Sequence, residues 1–290
     1  MIGTIRDPRA RSAVADAFGL ASQSLRERGN RSMARVSRGE RAFAEPGFTE
    51  VLLDELELAV RVRLDEIEVP SLRITTTGFN LPVADETRYG ADLGMRVDIL
   101  TPGYFTSKAL LFQCKRMYPP LQQPRFDEIP GRGERQARDM LAITPASFFL
   151  LFNFGEQQSL ADLAWGDFQR SAEWFWGRPW HDFEIGGAAF DLGVAIVPAA
   201  RILGLSEGAS MTNGKFPTEA ATILAGASPL GVFMADLVCS CLVGDTRPMV
   251  RQLVTAPAQH AINEGASGRF FDYHVNRYLH ITVTTEEEVF

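Results

Sequence analysis

The stretch GADLGMRVDILTPGYFTSKALLFQCKRM, residues 90–117, decides how this chain is read. LGMRVDIL (93–100) mixes β-branched and apolar residues in a short run bounded by glycine and proline, which reads as a strand. TPGY (101–104) carries turn chemistry, proline for a fixed φ and glycine for a permissive one. ALLFQCKRM (109–117) is a second strand, so the segment is a β-hairpin.

Residues equidistant from a hairpin turn face each other. A turn centred between Pro102 and Gly103 sets Asp92 opposite Gln113; a turn shifted toward Phe105 brings Asp92 nearer Lys115. Gln113 and Lys115, two apart, project from one face, and Cys114 from the other. Asp98 is the alternative acid on the first strand. It stands six residues from Asp92, roughly 20 Å at strand rise, so only one of the two sits beside Gln113. The turn centres best for Asp92, and Gly90 before it permits an unusual backbone approach. The bland alternative is a hairpin with polar surface residues. Against it, Gln113 and Lys115 interrupt an apolar strand, and buried polar groups need a reason.

Outward from the hairpin, a helix is expected over about 48–63, where Val51, Leu52, Leu56, Ala59 and Val60 form an apolar stripe. SLRITTTG (71–78) reads as a strand. After the proline-rich YPPLQQPRF (118–126), GERQARDMLA (133–142) reads as a helix, and ASFFLLFNF (146–154) as a buried strand. The order helix, three strands, helix, strand implies an α/β domain with a sheet flanked by helices.

GAD (90–92), a hairpin and then QCK (113–115) resembles the D…(E/Q)xK motif of the PD-(D/E)XK nuclease superfamily, in the QxK variant of Mrr-type restriction endonucleases. The likeness covers roughly residues 45–155. It implies a restriction-endonuclease-like mixed-sheet core (α-β-β-β-α-β) and Mg²⁺-dependent (or Mn²⁺-dependent) hydrolysis of nucleic-acid phosphodiesters, DNA first. It also implies a role in cytoplasmic defence against foreign DNA, with a second copy or a defence-system protein as partner. Carried over residue by residue, it makes Asp92, the Gln113 carbonyl and the Cys114 backbone carbonyl metal ligands, assisted by Glu50 on the preceding helix or by Glu86 ahead of the GAD turn. Lys115 would steady the attacking water or the phosphorane charge, and Gln136 on the next helix would touch phosphate or water. The chain departs from the commonest pattern at Gln113, because an amide supplies one carbonyl oxygen and no charge. Glu50 has a plainer reading as an acid favoured near a helix N-terminus, with Thr49 as a cap.

Composition sets the bounds. The chain has 290 residues, 46% of them hydrophobic, enough for a sizeable core, and no apolar run approaches a membrane span. Residues 1–45 hold nine arginines against five acids, +4 in a chain of net −7, so the remainder carries −11. A basic N-terminal arm on an acidic body is one way to grip a phosphate backbone; a solvated helix face is the other reading. Only three lysines occur among 29 basic residues, which draws attention to Lys115.

Three divisions are expected: a basic helical arm at 1–44, with a helix over 9–28 and a polar linker over 30–41; the nuclease-like domain at 45–200; and an α/β region at 201–290. The last includes RFFDYHVNRYLHITVT (269–284) as a strand pair or one long strand. Cys239 and Cys241 lack the further ligands of a zinc site. His181, His260, His274 and His280 lie apart from any nucleophile motif. The aromatic cluster around Trp165–Trp180 suits a core or interface better than base stacking.

Overall fold

The computed structural model describes residues 8–36, 45–66, 72–80, 90–102, 104–117, 125–126, 128–155, 187–211, 217–239, 244–254 and 277–285. Its centre is the hairpin. β2 (Leu93–Thr101) and β3 (Tyr104–Arg116) pair antiparallel from Leu93↔Phe112 to Thr101↔Tyr104, so the turn is centred between Pro102 and Gly103. Because the turn is that tight, β3 begins at Tyr104, five residues before the strand expected from Ala109.

The hairpin lies within a seven-stranded mixed sheet of order β1-β7-β2-β3-β4-β5-β6. The other strands are β1 (Leu72–Asn80), β4 (Ser147–Phe152), β5 (Val194–Pro198), the two-residue β6 (Ser228–Pro229) and β7 (Arg277–Thr285). β7 runs parallel to β2 and antiparallel to β1, and β4 runs parallel to β3. The chain is therefore an α/β protein with the expected order of helix, three strands, helix and strand along 45–152.

Alternation and register sort the side chains. Met95, Val97, Ile99, Leu110, Phe112, Leu279, Ile281 and Val283 point to one face and are buried. Three helices cover that face: α1 (Pro8–Val36), α2 (Glu45–Glu66) and, further along the chain, α6 (Leu230–Cys239). α6 sends Phe233 edge-on to Phe112 and Phe148, with ring centroids 6.2 and 5.1 Å away, a geometry worth about 0.5–1.5 kcal/mol per pair beyond burial. The opposite face carries Arg96, Asp98, Ser107, Gln113, Lys115, His280 and Thr282. There α3 (Glu134–Ile143) and α4 (Ala199–Met211) pack together beside β3 to β5. Two short α-helices, α5 (Ala220–Leu224) and α7 (Pro248–Leu253), and the single helical turns Ile129–Gly133 and Gly187–Phe190 complete the described elements.

One hydrophobic core runs from Val14 to Val283, across both boundaries drawn from the sequence. In α1 the stripe Val14, Phe18, Ala21 and Leu25 is buried against α2 and α6. Three of its arginines are engaged at home: Arg11 with Asp236, Arg26 with Asp191 at 2.8 Å, and Arg28 with Glu55. The basic N-terminal segment thus binds the body of the protein instead of standing off as an arm. The expected linker at 30–41 is helical as far as Val36. Gly29 meets the Phe154 ring where any Cβ would clash, and Asn30 exchanges hydrogen bonds with the Gly155 backbone, so this turn has packing to hold it. Likewise 277–285 is one strand, inserted between β1 and β2, and the expected C-terminal region supplies an interior strand of the sheet. Among the described residues no helix is long and apolar enough to cross a membrane.

Candidate functional site

At the mouth of the hairpin the ladder gives way to side-chain bonds. β2 starts at Leu93, so the backbone N–H of Cys114 takes the Asp92 carboxylate as its acceptor, 2.9 Å from Oδ2. The Gln113 amide nitrogen donates to the same Oδ2 and, at 3.2 Å, to the carbonyl oxygen of Cys114. Asp92, Gln113 and the Cys114 backbone are thereby joined, the pairing expected for a turn centred between Pro102 and Gly103, one of the two turn positions considered. All three are buried; Gln113 is 1% exposed. Its carbonyl oxygen Oε1 has no hydrogen-bond partner.

Lys115 lies two residues along β3 on the Gln113 face and is also 1% exposed. Register places it one diagonal step from Asp92, roughly 7–8 Å between backbones, within reach of a lysine stem. A buried ammonium is costly unless negative charge or hydrogen bonds compensate it, and Asp92 is an acid among the described residues at this end of the face.

Gln136 comes to the same corner on α3. Gly90 has φ +67 and packs so close that a Cβ there would stand 2.6 Å from the Gln136 carbonyl oxygen and 2.9 Å from its Cα. Only glycine permits that approach. The Gln136 side chain is buried, with Oε1 unpartnered. At its other end, α3 is held through Thr144, which donates to Asp245 at 2.7 Å, and through Arg247, which donates to the Ile143 carbonyl. The Asp245 carboxyl is lowered to about 2, chiefly by its bonds from Arg247.

The structure does not join Glu50 to this group. Glu50 is exposed on α2, which covers the other face of the sheet, and its carboxylate meets Arg277 at 3.4 Å. Glu86 lies outside the described residues, as do His181, His260, His274 and the tryptophan cluster. Asp98, the alternative acid, is committed elsewhere. His280 lies 2.8 Å from its carboxylate and Arg96 2.9 Å. Burial pushes the Asp98 carboxyl up, but the bonds from His280 and Arg96 outweigh it and hold the group well below the ordinary carboxylate range. No spacing along the chain points to this second cluster, because His280 reaches Asp98 only through the parallel placement of β7.

The donors at the hairpin mouth are all oxygens: one carboxylate, one side-chain amide and one backbone carbonyl. That set suits a hard divalent cation that keeps several waters, and the unpartnered Gln113 Oε1 is a buried acceptor such a cation would satisfy. Among the described residues no group of three His, Cys, Asp or Glu could hold a metal, so the site would rest on a single carboxylate with neutral oxygens. No protein-family model matches the chain, and no curated protein matches it.

Proposed function

We propose that the chain is a metal-dependent nuclease with a restriction-endonuclease-like core, cleaving phosphodiester bonds of nucleic acid, DNA first, in the cytoplasm. The observation that carries this reading is the convergence of Asp92, Gln113 and the Cys114 backbone at the mouth of one hairpin, with Lys115 buried on the same face.

Asp92, the Gln113 carbonyl and the Cys114 carbonyl would hold Mg²⁺ or Mn²⁺. Bound there, the cation supplies Lewis-acid polarisation of the scissile phosphate and a more acidic water. Lys115 contributes a fixed positive charge beside the developing phosphorane, in an interior where a charge acts more strongly than in water. Gln136 presents an unpartnered amide oxygen from α3, able to accept a hydrogen bond from a water and orient it. Glu50, paired with Arg277, has no ligand role in this proposal.

One observation favours a second reading, a nuclease-fold module that binds nucleic acid or a protein partner without cutting: the lone carboxylate of the described site. The two separate in one assay. Purified protein is incubated with plasmid and single-stranded substrates in Mg²⁺, Mn²⁺ or EDTA, beside Lys115→Met and Asp92→Asn. Metal-dependent cleavage that falls roughly 10²-fold or more in Lys115→Met, with an unchanged melting temperature, supports the nuclease. Binding without cleavage on every substrate supports the module, and full activity in both variants removes the site.

A further inference from the structure

We propose that the Gln113 side chain is a two-position gate on this site. Without a cation its NH₂ head bridges Asp92 Oδ2 and the Cys114 carbonyl. A divalent cation enters only when the amide turns about its terminal bond and Oε1 takes the place of Nε2. The inference rests on reading the site as a cation site.

The two atoms that the amide nitrogen meets, a carboxylate oxygen and a carbonyl oxygen, are both acceptors. Only the NH₂ end of an amide satisfies acceptors, so chemistry fixes which head faces them. These same two oxygens are the ones a cation needs. The amide nitrogen therefore stands as an internal substitute for the ion, with its partial positive charge where the ion's full charge would lie.

The arrangement is only half satisfied. The other head, Oε1, is buried without a partner. A cation between the oxygens reverses the preference, because Oε1 then finds a positive charge to meet and the NH₂ head would be repelled. The last torsion of a glutamine is broad and two-fold, so exchanging the heads moves no other atom. The side chain has little alternative. Gln113 is 1% exposed, and β3 is paired on both sides, with Leu93↔Phe112 toward β2 and Gln113↔Phe149 toward β4.

This gives the residue type a reason. A glutamate here would have no N–H for Asp92 and would set two carboxylates together, a repulsion that only a bound cation relieves. Glutamine keeps the cation-free site closed with one carboxylate in place of two, and weakens the hold on the ion in return. The gate therefore makes activity respond to cation concentration over a range that a two-carboxylate site would leave saturated.

The test uses ¹⁵N-labelled full-length protein, titrated with Mg²⁺ and followed by side-chain amide NMR and by calorimetry. The Gln113 NH₂ pair is assigned by its absence from Gln113→Glu or, should that variant not fold, by selective glutamine labelling compared with Asp92→Asn. Expected are a shifted Gln113 pair whose protons exchange with solvent at least tenfold faster, at the midpoint of the calorimetric heat, and binding to Gln113→Glu at least tenfold tighter than to the wild type. Binding in Gln113→Glu alone overturns the gate, because the wild-type amide then never gives way to an ion. If Mg²⁺ binds the wild type, needs Asp92, and leaves the Gln113 signals in place, the gate is wrong while the cation site stands. If neither the wild type nor a folded Gln113→Glu binds Mg²⁺ or Mn²⁺, the site reading falls and takes the gate with it.

Discussion

Gly90→Ala isolates the contact that sets α3 over the hairpin mouth. At φ +67 an alanine pays a left-handed backbone cost of about 1–2 kcal/mol. Its Cβ would also stand 2.6 and 2.9 Å from backbone atoms of Gln136, which no side-chain rotation can clear. Forcing α3 aside adds overpacking of about 1–3 kcal/mol, so about 2–5 kcal/mol in all. For 290 residues the melting temperature moves about 1.6 °C per kcal/mol, so the expected fall is about 3–8 °C. Gly226→Ala is the control. Its φ is +71 but the nearest atom to the added Cβ is the Arg201 side-chain tip at 3.5 Å, an ordinary contact, so only the backbone cost of about 1–2 kcal/mol applies, a fall of about 2–3 °C. Differential scanning calorimetry on both variants, with the plasmid assay alongside, separates strain from displacement. Gly90→Ala should lose both more stability and more cleavage than Gly226→Ala. Equal melting shifts, or a Gly90→Ala protein that cuts like the wild type, would refute the role given to this contact.

Two further outcomes follow from the fold. The Asp98 carboxyl is lowered in the folded chain from an ordinary 3.8, so its contribution to stability is fully present above that value and drains away as pH falls below it. Asp98→Asn should therefore be less stable than the wild type in urea at pH 7, with the gap narrowing in titrations below pH 4; a gap constant with pH would mean the charge is not what Asp98 contributes. A fragment of residues 45–200 should give no cooperative melt by circular dichroism, since it lacks β7 between β1 and β2 and lacks the α1 and α6 cover; a sharp transition would restore the boundaries drawn from the sequence.

How far the sequence could be read depended on how local each interaction was. The hairpin was legible because turn chemistry at Pro102 and Gly103 sets the register within a few residues, and register carried Asp92 to Gln113. The stripe Val14, Phe18, Ala21 and Leu25 showed its helix by period alone. What α1 packs against was hidden, and so a run of arginines looked like a free basic arm when Asp191, Asp236 and Glu55 were waiting for it elsewhere in the chain. β7 was legible as a strand, but its place was not, since parallel pairing with β2 leaves no turn between them. Glu50 was misplaced for the same reason. Its helix was read correctly, while the face that the helix covers depends on strands that begin 22 and 227 residues away, at Leu72 and Arg277.

The position of β7 also sets a clock on biosynthesis. Leu72 pairs with Thr285, 213 residues downstream, so the first strand of the sheet leaves the ribosome long before its neighbour exists. At translation speeds of roughly 5–20 residues per second that wait lasts about 10–40 s. Throughout it the apolar sides of β1 and β2 have no strand to join them, and the nascent chain is a natural client for a holding chaperone.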